Sequence, residues 1–167
     1  MFFIKINQNL TMKKIFQYSL FLAALYLGGC VEAIDKTFNE KTVAEFQATV
    51  VTSPAVGKTY PLISLINKDS TVNAQVNLVG VARASETVVN ISVDKTESTA
   101  VENTHYKFPN GAKVTFPANS NIANFQFQTM KVPAQAGASA NIIFVIETTG
   151  DVAPNENYKK VGYSIKL

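Results

Sequence analysis

Val89-Asn90-Ile91-Ser92-Val93-Asp94 alternates apolar and polar residues without a break. Successive side chains of a strand point to opposite faces, so this period of two marks a half-buried strand; a helix would repeat its apolar residues at three and four. The same pattern extends in both directions. Val76, Leu78 and Gly80 alternate with Asn77, Val79 and Val81, and the last two valines predict burial on both faces. Val114 and Phe116 make a short strand stopped by Pro117. Phe125, Phe127, Thr129 and Lys131 alternate with Gln126, Gln128, Met130 and Val132. Ile142 to Thr148 is a β-branched and aromatic run, as expected of a central strand covered on both sides. Val161, Tyr163, Ile165 and Leu167 are spaced by Gly162, Ser164 and Lys166. Nearer the N-terminus, Tyr60 to Ile66 reads as a strand, and so does Phe46 to Val51, with a short helix over Glu40 to Ala48 capped by Asn39 as the alternative.

No segment after Thr49 has useful helical periodicity, and no internal repeat is visible. Seven or eight short strands over about 120 residues predict an all-β chain, an antiparallel immunoglobulin-like β-sandwich. The 167 residues are 47% hydrophobic and 16% charged, which suits one core-forming domain and argues against disorder. There is no tryptophan and a single cysteine, so neither a disulfide scaffold nor an antibody-type pinned core is available. The core must rest on aliphatic and phenylalanine packing.

Upstream, Lys13 and Lys14 precede the apolar run Ile15 to Leu27, which ends in Leu27-Gly28-Gly29-Cys30. Thirteen residues, Gln17 and Ser19 among them, fall short of the roughly 20 needed to span a bilayer. Residues 1–29 therefore read as a signal peptide whose start could be Met12, residues 30–42 as a tether, and residues 43–167 as the sandwich domain. The sequence Leu-Gly-Gly-Cys resembles the lipobox of bacterial lipoproteins, which implies that Cys30 is lipidated and anchors the chain in a membrane. Glu32 and Asp35 resemble a surface-export signal weakly; a solvated spacer is the plainer reading.

Removing residues 1–29 takes away Lys5, Lys13 and Lys14, leaving twelve basic residues against twelve acidic ones. The mature charge is then zero, so the basic pI near 8.9 belongs to the targeting segment and nucleic acid is not an expected partner.

The stretch Ser92 to Tyr106, followed by Gly111 to Ser120, resembles the core of Calx-β domains: a strand, a Thr-Ala step, a Gly-x-Asp-Tyr corner, and a strand ending in Phe or Ile with Pro. Leu78-Val79-Gly80 and Glu156 to Tyr163 add a resemblance to lipoproteins of unknown function from Bacteroidetes that carry such a domain. Asn103 stands where that pattern has glycine, and asparagine is the residue after glycine that best tolerates a left-handed backbone. His105 replaces the corner aspartate. The loop Val132-Pro133-Ala134-Gln135-Ala136-Gly137 has no carboxylate where calcium-binding relatives have several, so no calcium or other metal site and no cofactor is expected.

His105, Glu97 and Glu102 could form part of a metal site, but no His-x-His or His-Glu-x-x-His spacing supports it. A structural corner, with His105 bonded to loop backbone and Tyr106 packed at a sheet edge, is the preferred reading. Carboxylates such as Asp94, Glu97 and Glu147 could pair as in a glycosidase, but none falls in a segment suggesting a deep cleft. The chain is therefore expected not to be an enzyme. Phe125 and Phe127 read as a core face, with Gln126 and Gln128 on the surface opposite. Candidate ligand-binding residues are Tyr158, Tyr106 and His105. The resemblance implies an outer-membrane or surface lipoprotein, its side of the membrane left open, acting as an accessory module beside glycan-uptake machinery, with a glycan or an outer-membrane protein as partner. A structural, edge-pairing interaction domain of the envelope is the alternative.

Overall fold

The computed structural model describes residues 41–167. Cys30, the signal segment, Glu32, Asp35 and Asn39 lie outside the described residues. Ten strands and one helical turn follow in order: β1 (Val43–Phe46), α1 (Gln47–Val51), β2 (Leu62–Ile66), β3 (Ser70–Val79), β4 (Thr87–Val93), β5 (Tyr106–Lys107), β6 (Lys113–Phe116), β7 (Ile122–Thr129), β8 (Ser139–Ile146), β9 (Ala153–Pro154) and β10 (Lys160–Lys166). They form two five-stranded sheets, β5-β7-β3-β1-β9 and β2-β10-β8-β4-β6. The chain is an all-β, immunoglobulin-like sandwich. Its pairings are antiparallel except β1 with β9 and β10 with β2, which are parallel.

The alternating residues meet between the sheets. Val76 and Leu78 of β3, Phe125 and Phe127 of β7, Val89 and Ile91 of β4, Val114 and Phe116 of β6, and Val161 and Ile165 of β10 are all buried. Phe144 of β8 lies at the centre, edge-on to Phe125 and Phe127 at 5.0 and 4.9 Å and to Tyr106 at 6.4 Å. Phe108 and Tyr163 tilt against it at 5.9 Å each. Edge-to-face rings are worth more than their area alone, so this cluster takes the place of the missing tryptophan and disulfide.

Ile143, on the opposite face of β8 from Ile142 and Phe144, is also buried, so the central strand is covered on both sides. The cover over this sheet comes from Tyr60 and the loop after β4. Tyr60 lies against Gly162, while Asp94 donates its amide to Ile143 O and Thr99 to Asn141 O.

Three segments differ from the sequence reading. The strand expected at Phe46 to Val51 is instead the end of β1 followed by a single helical turn, α1. The helical alternative over Glu40 to Ala48 is displaced too, since the turn begins at Gln47. Here the Thr49 hydroxyl donates to Lys160 O at 2.6 Å and Thr52 N–H to Ala48 O at 3.0 Å, and these bonds outweigh the β preference of Val50 and Val51. Val81, expected to be buried, is 84% exposed, because β3 ends at Val79 and Gly80 turns away with φ 152°. That glycine is required: a Cβ there would lie 3.1 Å from Thr42 Oγ1. Thr42 itself is buried and accepts the Ala153 amide at 3.1 Å, so the sandwich's contacts reach one residue into the stretch read as tether.

Candidate functional site

The outward face of the first sheet carries no charge along its two longest strands. β3 presents Thr71, Asn73, Gln75 and Asn77, and β7 presents Asn124, Gln126 and Gln128. The register sets them side by side: Asn73 opposite Gln126, Gln75 opposite Asn124, Thr71 opposite Gln128. The reason is the alternation itself, since the residues between them are the buried Ala74, Val76, Phe125 and Phe127.

The amides are partly oriented by one another. Gln75 Nε2 donates to Asn77 Oδ1 at 2.9 Å, Asn77 Nδ2 to Gln47 Oε1, and Asn110 Nδ2 to Gln126 Oε1 at 3.1 Å. A carboxamide has two N–H donors and an oxygen with two lone pairs, so each retains capacity for an outside partner. Asn110, Lys113, Thr115, Asn124 and Gln126 line a shallow groove of about 160 Å³ where β6 meets this face.

Tyr158 is 36% exposed. Its turn runs along β1: Asn155 N–H donates to Ala44 O at 2.8 Å and Phe46 N–H to Tyr158 O at 3.0 Å, while Asn155 Nδ2 reaches Glu45 Oε2 at 2.7 Å. This places the Tyr158 turn beyond β1, at the rim of the amide face, with Glu45, which stands opposite Asn77, between it and the amides.

Tyr106 and His105 are placed differently. Tyr106 is 3% exposed, in edge strand β5 against Phe108 and Phe144, and burial pushes its phenol upward. It cannot meet a ligand. His105 Nδ1 accepts the Val101 amide at 2.9 Å, its own amide donates to Val101 O at 2.8 Å, and its carbonyl accepts from Met130. Asn103 has φ 62°, the left-handed value that the corner requires. The corner closes a loop. Among the described residues no three His, Cys, Asp or Glu side chains converge on one point.

Glu97 lies away from His105, in an ion-pair cluster that sequence reasoning missed. Lys160 Nζ bonds Asp94 Oδ2 at 2.7 Å and Glu97 Oε1 at 2.8 Å, and Lys58 Nζ bonds Glu97 Oε2 at 3.1 Å. The Tyr60 hydroxyl also donates to Glu97 Oε2. Asp94 Oδ1 takes the Thr96 amide and hydroxyl, closing a turn. The Lys160 ammonium, then Tyr60 and Lys58, hold the Glu97 carboxyl down at about 2. Lys160 and Thr96 hold Asp94 well below the usual carboxylate range. A glycosidase pair needs one carboxyl raised to serve as acid, and here both are lowered. The cluster fastens the loop after β4 to β10 and to the approach to β2.

Comparison with solved structures bears on the fold. The apo-form Calx CBD1 domain matches with a TM-score of 0.55 at 11% identity, over 76% of this chain and 97% of that one. The fold is Calx-β-like. The Calx CBD2 domain matches at 0.50 and 11% identity, over 74% of this chain and 85% of that one. CBD12 from CALX1.2 matches at 0.54 and 10% identity, with 74% of this chain covering 43% of that one. No protein-family model matches the sequence, and no curated protein does. The likeness to Calx-β domains is therefore one of architecture, and the functional reading rests on this chain's own surface.

Proposed function

We propose that the chain is a non-catalytic binding module for a neutral, hydroxyl-rich glycan, held at the outer membrane by lipid on Cys30 and working beside glycan-uptake machinery. The observation that carries the reading is the uncharged amide face of β3 and β7 with Tyr158 at its rim. Carboxamides donate to and accept from sugar hydroxyls, and an exposed aromatic ring offers a surface for the C–H face of a pyranose. A flat face without a deep cleft suits a polymer chain lying across it. The second reading, a protein-interaction domain of the envelope, draws on the edge of β2, which among the described residues pairs with β10 alone.

The test is a glycan array and affinity electrophoresis with residues 31–167, which include every described residue of the sandwich. Binding to one neutral polysaccharide class is expected, weakened at least tenfold by N73A/Q126A and by Y158A while thermal unfolding is unchanged. Absence of binding across the panel would sink the glycan reading. In the full chain, C30S should move the protein from the membrane to the soluble fraction.

A further inference from the structure

The four sheet edges are not equally protected. β5 and β9 are two residues long, and β6 carries Lys113 and ends before Pro117. Short length, charge and proline are the usual means of keeping an edge from pairing. β2 has no charge and no proline within Leu62-Ile63-Ser64-Leu65-Ile66; Pro61, just before it, turns its backbone to β10 and leaves the outward edge unblocked, and Ile66 is 72% exposed.

Its backbone is half used. Gly162, aligned with Leu62, donates to Pro61 O at 3.0 Å. In a parallel ladder the bonding groups alternate, so Ile63 and Leu65 face β10 while the N–H and C=O of Leu62, Ser64 and Ile66 face outward. Among the described residues, none of these six groups has a backbone partner. The side chains split the same way, with Ile63 and Leu65 packed on the core and Leu62 against Gly162 on the outer face.

The strand is also its own complement. Turned antiparallel about Ser64, a second copy sets Ser64 opposite Ser64, Leu62 opposite Ile66 and Ile63 opposite Leu65. The outward groups of Leu62, Ser64 and Ile66 then fall in the hydrogen-bonded positions. Apolar side chains meet apolar ones on both faces. Charge is compatible as well: Lys166, next to Ile66, lies in the row that ends in the partner's uncharged Leu62 and Gly162.

We infer that β2 is a self-pairing edge through which two copies of this chain join their second sheets into one continuous ten-stranded sheet. A five-residue strand pair buries less than the roughly 1,200 Å² of a standard interface, so the dimer is reversible and its population grows with concentration. The amide face belongs to the other sheet and stays uncovered.

The test uses residues 31–167, which lack Cys30 and so contain no cysteine. Across the two-fold axis the Ser64 Cα atoms would be about 5.5 Å apart, within disulfide reach. S64C should oxidise to a covalent dimer at least tenfold faster than T115C, a control on the β6 edge. Sedimentation of the wild type should show dimer growing with concentration, and S64P should abolish it, because the lost N–H points away from β10. If S64P does not fold, I66K is measured instead and should remove the dimer. Equal oxidation rates for S64C and T115C, or a wild type that stays monomeric to about 1 mM, would overturn the inference.

Discussion

Gly162 shows how one residue couples the two layers that cover the central strands. It sits in β10 with no side chain, and a Cβ there would meet Leu62 Cδ1 at 2.8 Å, Tyr60 Cε2 at 3.1 Å and Pro61 O at 3.2 Å. Two of those atoms belong to side chains that can shift, but the third is backbone, and it accepts Gly162's own amide. G162A should therefore destabilise by about 1–3 kcal/mol, the usual cost of overpacking. The check is the urea midpoint, expected to fall with an unchanged m-value. A midpoint at or above wild type would mean that Tyr60 is not held across β10. Asn103 is the contrasting case, because its left-handed φ of 62° was readable in the sequence from residue type and corner position alone.

At the scale of elements, legibility followed the strength of the alternation. β4, β7 and β8 were readable because Val89 and Ile91, Phe125 and Phe127, and Ile142 to Ile146 carry their burial pattern in their own residues. α1 was not, because Thr49 is fixed by a carbonyl 111 residues away in Lys160. β5 and β9 are too short to show a period. The polar cluster was hidden for the same reason as α1: Lys58, Tyr60, Asp94, Glu97 and Lys160 converge only after folding, though Asp94 and Glu97 stood out as carboxylates. Their lowered values make a pH prediction. A carboxyl lowered in the folded state stabilises it above the unfolded value near 4, and that contribution is lost as pH falls through the folded values, about 2 for Glu97 and lower for Asp94. Lys160 is raised by Asp94, then Glu97, so its contribution holds below about 10.5 and fades above. K160M should thus cost about 1–2 kcal/mol at pH 7, after allowance for solvent screening of partly exposed partners. The gap between variant and wild type, measured by denaturant titration, should close as pH drops from 5 to 2. A gap independent of pH would mean that Lys160 acts through packing of its alkyl chain alone.

For the whole molecule, charge balance and the amide face make the same demand on the ligand. Without residues 1–29 the chain carries twelve basic and twelve acidic residues, and the ion pairs of Arg83 with Asp151, Lys159 with Glu156, and Lys160 with Asp94 and Glu97 neutralise several locally. β3 and β7 turn only uncharged groups outward. Binding there would draw on hydrogen bonds between amides and hydroxyls, with no counterions to release. A protein gripping an acidic polymer loses orders of magnitude in affinity between low and moderate salt, because each neutralised charge releases a bound ion. Here the affinity for a neutral polysaccharide should stay within about twofold from 50 to 500 mM sodium chloride, a range over which exposed charges become screened beyond about 14 and 4 Å respectively. Affinity electrophoresis across that range is the measurement. A tenfold loss would mean that cations, and not the amides alone, hold the ligand: Lys113 in the groove where β6 meets the amide face, or Lys131 and Lys166 in a groove of about 550 Å³.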